Sequence, residues 1–190
     1  MPIVQPAVEI LRAFQRGLPD LASPNNPALA LLQAVQEGQQ IYTLGLQDIL
    51  TGAGLGAAAL AGWQFLAANA DYSVAAHVNS ALGDLGPAIS SIANDPEIAK
   101  VIAAITAAKA MPLFDQQGSE LRLLRIPGVL VEAVWLKPPQ GDGEVYPYLT
   151  LAKGLDAMRW YPAQDFLNIL KPVASEFLLF AAVSAPRPTV

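Results

Sequence analysis

A chain of 190 residues with a net charge of −5 has no run of Lys or Arg. Nucleic-acid backbones and anionic membrane surfaces are both held by clustered cations, so neither is an expected partner. The absence of cysteine removes disulfides, thiolate chemistry and most structural zinc sites, and fits a cytoplasmic location.

The N-terminus, MPIVQPAVEI, lacks a basic n-region, and Glu9 interrupts its apolar pattern, so no signal peptide is expected. Residues 4–17 set Val4, Val8, Leu11 and Phe14 on one helical face, and Gly17 and Pro19 are expected to end that helix. After the loop LASPNNP, Pro27 opens a second helix carrying Leu29, Leu32 and Val35, which stops near Gly38. The two predict a helical hairpin. IYTLGL (41–46) reads either as a short strand or as an extended lead-in. A helix is expected over 55–68, another from Ser73 through Ala81, and a short one over 85–93 after Gly83. The uncharged stretch 49–70 is long enough to cross a bilayer. It is built from Ala and Gly, with Thr51, Gln64 and Asn69 inside, and so reads as a buried helix.

The plainest helix start is Asn94-Asp95-Pro96-Glu97, with Asp95 as N-cap and Pro96 at the first helical position. Ile98, Val101, Ile102 and Ile105 then repeat at helical spacing, and Met111-Pro112 closes the segment. The strand signals concentrate in 119–151. Pro127-Gly128 and Gly141-Asp142-Gly143 divide it into runs 120–126, 129–137 and 144–151. The middle run, VLVEAVWLK, is apolar enough to be covered on both faces, and Pro147 places the third run at an edge. Residues 154–162 read as an irregular loop with Met158, Trp160 and Tyr161. Pro162 starts a helix through Leu170, while VASEFLLFAAV after Pro172 reads as a buried helix or a final strand. The tail SAPRPTV is expected to be extended. The expected fold is a single α+β domain over 1–190. Its mainly helical portion (1–112) packs on a small antiparallel β-meander (119–151), with C-terminal helical segments at 162–183.

Candidate chemistry is sparse. Gly52-Ala-Gly54-Leu-Gly56-Ala57 satisfies G-x-G-x-x-G/A, and Asp71 lies where a ribose-binding acid would. LQDIL before it, however, is not the buried strand that such a site requires. His77 is the only histidine, and no cysteine or spaced carboxylates stand beside it as metal ligands, so it reads as a partly exposed helical residue. A Ser-His-Asp triad lacks its G-x-S-x-G elbow. Glu132, midway along the most apolar strand, needs Arg122 or Arg125 from the neighbouring strand, or its pKa will rise as in a general acid. Tyr146 and Tyr148, with Trp135 on the next strand, form an aromatic-rich edge that suits a protein contact or packing under the loop holding Trp160. No cofactor or metal is expected. The leading functional expectation is a non-catalytic protein–protein interaction or assembly module, with a protein partner or self-association. The alternatives are a small-molecule-binding protein or a carboxylate-dependent enzyme with its site near Glu132, and, less directly, a membrane-associated subunit using 49–70 or 173–183.

Overall fold

The structure, a computed structural model, describes residues 4–21, 27–71, 73–80 and 86–184. Segments 22–26, 81–85 and 185–190, read above as a loop, a helix end with its turn, and a tail, lie outside those residues. In chain order the elements are α1 (Val8–Leu21), α2 (Pro27–Gln33), β1 (Gln39–Thr43), α3 (Leu46–Thr51), β2 (Ala59–Ala68), β3 (Ser73–Asn79) and β4 (Ala88–Ala93). There follow α4 (Glu97–Lys109), β5 (Glu120–Ile126), β6 (Val131–Lys137), β7 (Glu144–Thr150), β8 (Tyr161–Pro162) and α5 (Ala163–Ser184).

The eight strands form one sheet in the order β4-β3-β2-β1-β5-β6-β7-β8. This overturns the expected helical N-terminal half resting on a small meander. The meander exists as β5–β6–β7, but it is less than half of a mixed sheet. A second antiparallel meander, β1 to β4, stands beside it, and the two join where β1 pairs in parallel with β5.

Residues 59–68, 73–79 and 88–93 form strands where helices were expected, because tertiary burial outweighs the helix preference of alanine. In β2, Trp63 and Phe65 point to one side of the sheet. In β3, Val74, Ala76 and Val78 do the same, a two-residue period that only a strand satisfies. Two other boundaries differ. Helix α1 continues past Gly17 and contains Pro19, and α5 is one helix through Pro172, which settles 173–183 as helical up to Ser184.

Alternation within the strands separates two cores. On one face, α4 covers Ile41, Leu121, Leu123, Val134 and Leu136. On the other, α1 and α2 cover β2 and β3 through Phe14, Leu18 and Leu32, with Phe14 stacked on Phe65 at 4.0 Å between ring centroids. Also on that face, α3 and α5 cover Leu124, Ile126, Ala133 and Trp135. Each large side chain buried in this way contributes roughly 1.5–3 kcal/mol. Among the described elements one face thus carries four helices and the other only α4, so part of the second face stays open. At the start of α4, the Asp95 carboxylate accepts the Glu97 N–H at 2.8 Å.

Gly62 pairs with Asn79 in the β2–β3 ladder, and a Cβ there would lie 2.4 Å from the Val78 carbonyl oxygen. Backbone cannot swing aside as a side chain can. Gly62→Ala is therefore expected to lower stability in urea unfolding by roughly 1–3 kcal/mol. Gly56→Ala, whose Cβ meets nothing within 4 Å, is expected to change it by less than about 0.5 kcal/mol.

Candidate functional site

Three strand pairs contain a register shift, each caused by one extra residue: Ala61 in β2, Ser90 in β4 and Tyr148 in β7. A bulge of this kind bends the strand locally and re-aims side chains. All three flank one polar track on the sparsely covered face of the sheet. Ser91 Oγ lies 3.3 Å from His77 Nδ1, and His77 Nε2 lies 3.2 Å from Arg125 Nη2. Arg125 Nε is 3.5 Å from Glu132 Oε1, and the Tyr148 hydroxyl donates to Glu132 Oε2 at 3.0 Å. Five strands (β4, β3, β5, β6 and β7) supply the members. The contact between His77 and Arg125 passes over β2 and β1, where Ala61 and Gly62 add little bulk.

The protons on the track can be assigned from what each group is able to donate. A guanidinium has no acceptor, so His77 Nε2 must present its lone pair to Arg125. The ring proton therefore sits on Nδ1 and is donated to Ser91 Oγ. Burial, aided by the neighbouring Arg125 charge, lowers the His77 pKa to about 4, which keeps the ring neutral at pH 7. Burial, reinforced by the Glu132 charge, pushes the Tyr148 phenol well above its ordinary value, so it remains a donor. Arg125 stands directly opposite Glu132 in the β5–β6 register and is its partner. Arg125 Nε is within ion-pair range of the carboxylate but is buried without a well-formed hydrogen bond.

This arrangement differs from a hydrolytic triad at the position that matters. There a carboxylate beyond the histidine supports the imidazolium that forms. Here a cation occupies that place and suppresses it. A histidine protonated only near pH 4 is also a weak general base at neutral pH. Among the described residues, no group of three His, Asp or Glu side chains is placed to hold a metal.

The structure thus links His77 and Glu132 through Arg125, with His77 on a strand and not, as expected, on a helix. It separates the three aromatics. Trp135 is fully buried on the opposite face, where its Nε1 donates to the Asp142 carbonyl, and Tyr148 is 2% exposed. Tyr146 is half-buried against Trp160, ring centroids 4.8 Å apart. The glycines at 52–56 cap α3 and lead into a 3₁₀ turn and β2, which is not the strand–turn–helix setting of a dinucleotide site. Ser90, Ser91 and Asn79 escaped the reading of the sequence because their segments were read as helical. The alternation Val74-Ala-Ala76-His-Val78-Asn was the available signal.

A second feature lies on α5. Its first half is buried through Phe166, Leu167, Leu170 and Ala174. Beyond Ala174 the side chains emerge: Phe177 is 47% exposed, Leu179 66% and Phe180 74%. Among the described residues, no helix is long and apolar enough to cross a membrane. No protein-family model, curated protein or solved structure matches the chain.

The His77 environment sets a pH dependence. Its folded pKa lies below the unfolded value of 6.5, so the unfolded chain takes up this proton first as pH falls. The stability tied to the neutral ring is complete above about pH 6.5 and is lost as pH drops towards 4. The loss is on the order of 2–3 kcal/mol, after allowance for partial exposure. His77→Gln, which can still accept from Arg125, is expected to flatten that part of the stability–pH curve measured by urea unfolding. An unchanged slope would show that the ring is not held neutral.

Proposed function

We propose that this chain is a non-catalytic interaction or assembly module that docks through the C-terminal half of α5. The observation that carries this reading is the change in α5 at Ala174. Large apolar side chains belong inside a protein, yet Phe177, Leu179 and Phe180 point away from the chain's own core. Phe177 and Phe180 also stand at the i, i+3 spacing with which a helix seats itself in an apolar groove. Glu176 is the only charge between Lys171 and Ser184, so little opposes desolvation of this segment. The chemistry of the polar track agrees, because the lone pair of its histidine is engaged by a cation.

The carboxylate-dependent enzyme reading gains less support. Glu132 is held between Arg125 and the Tyr148 hydroxyl, so both of its oxygens are engaged within the fold.

The test is a triple substitution, Phe177→Ser, Leu179→Ser and Phe180→Ser. Light scattering over a concentration series is expected to show the wild-type chain assembling, with the variant at least about 100-fold weaker. If the wild type stays monomeric, a purified protein that binds it must lose affinity for the variant by the same factor. The melting temperature should be unchanged, because the three side chains are exposed. A variant that matches the wild type in both assays, or that unfolds, would refute docking through α5.

A further inference from the structure

Beside the polar track the sheet surface dips into a pocket of about 120 Å³. Ile41, Gly62 and the bulged residues Ala61 and Ser90 are among the residues that line it. Thr43, His77, Asn79 and Arg125 complete the polar lining. Two rows of the sheet converge here. Ile41, Gly62 and Asn79 are aligned across β1, β2 and β3, and Thr43 pairs with Arg125 across β1 and β5.

The charges in this lining are unequal. Arg125 is the one ionised side chain in it, since His77 is neutral and Glu132 lies beyond the guanidinium, outside the pocket. Several of the hydrogen-bonding groups are able to donate. The Arg125 guanidinium presents several N–H groups, Thr43 a hydroxyl and Asn79 an amide, while the Ser90 hydroxyl already donates to the His77 carbonyl. The pocket is small but large enough to take a carboxylate-sized group. A carboxylate with its attached carbon has four heavy atoms, and its planar pair of oxygens matches a guanidinium. A dianion would suit the place less well, because the Glu132 carboxylate lies behind the only cation.

We propose that the pocket over Gly62 binds a carboxylate group, held by Arg125 and hydrogen-bonded by Thr43 and Asn79. The carboxylate comes from a small organic acid or from the C-terminus of a peptide. The site is separate from α5 and does not depend on docking there. Because the ligand charge lies beside His77, binding favours the protonated ring, and by reciprocity the carboxylate binds more tightly as pH falls below neutral.

His77 is the only histidine, so its ring signals in an NMR spectrum of the full chain are a unique reporter. Acetate titrated at pH 7 is expected to move them along a saturable curve, with chloride at matched ionic strength leaving them in place. A short peptide free acid, compared with its C-terminal amide, separates the two sources. Tighter binding of the free acid than of acetate assigns the site to a chain terminus, and equal or weaker binding assigns it to small acids. Thr43→Val and Asn79→Ala are each expected to weaken binding roughly fivefold, the loss of one hydrogen bond, with the melting temperature unchanged. A linear response equal to that of chloride overturns the proposal. So does phosphate binding as tightly as acetate, or both variants binding like the wild type.

Discussion

The parallel pairing of β1 with β5 is the constraint on which the architecture rests. Each meander is an antiparallel ribbon built from neighbours in sequence, and each is followed by a helix. The β1–β5 ladder, Gln40 to Thr43 against Arg122 to Arg125, fuses the ribbons into one sheet with α4 on one face and α5 on the other. Two ribbons meeting in parallel through their first strands are related by a rotation about the strand direction, which exchanges the faces. Side-chain alternation along β5 then sends neighbouring residues to different helices, Leu123 lying under α4 and Leu124 under α3 and α5. It also places Arg125 within reach of both halves, so one guanidinium meets His77 from the first ribbon and Glu132 from the second.

The second ribbon was legible in the sequence and the first was not. In 119–151 the turn residues stand at the ends of the runs, and apolar residues, β-branched and aromatic ones chiefly in the second and third, fill them, so local preference and tertiary demand agree. In 55–93 they conflict. Alanine recurs through β2, β3 and β4 and favours a helix locally, while the burial of Trp63, Phe65 and the Val74–Val78 alternation is satisfied only by strands. Strand pairing over long separations leaves no local mark. The bulges at Ala61, Ser90 and Tyr148 were equally invisible, because they exist only relative to a partner strand. Glu132 and His77 stood out as lone titratable residues among apolar ones, but Arg125 as the link between them depended on the β1–β5 seam.

The polar track places a guanidinium where a hydrolase would place a carboxylate. A positive charge beside an imidazole weakens it as a base and leaves a fixed cation facing solvent over a small dip in the sheet. On the opposite face, Arg122 is treated differently. It is paired with Glu120 and lies over the rings of Tyr42 and Trp135, 4.2 and 4.9 Å from their centroids, so its charge is already satisfied within the fold. Two arginines on one strand, three residues apart, are divided by strand alternation between the two faces, Arg122 with Glu120 and Arg125 with Glu132.

The two borders of the sheet are unequal. At one, β8 is a two-residue strand that ends in Pro162, which has no N–H to offer. At the other, β4 spans six residues, Ala-Ile-Ser-Ser-Ile-Ala, with neither proline nor charge and with one bulge, at Ser90. Those six letters also spell the same word backwards, so an identical strand laid alongside in the opposite sense would meet like with like. Of the two border strands β4 is thus the longer, with more backbone N–H and C=O groups along which a further strand could pair.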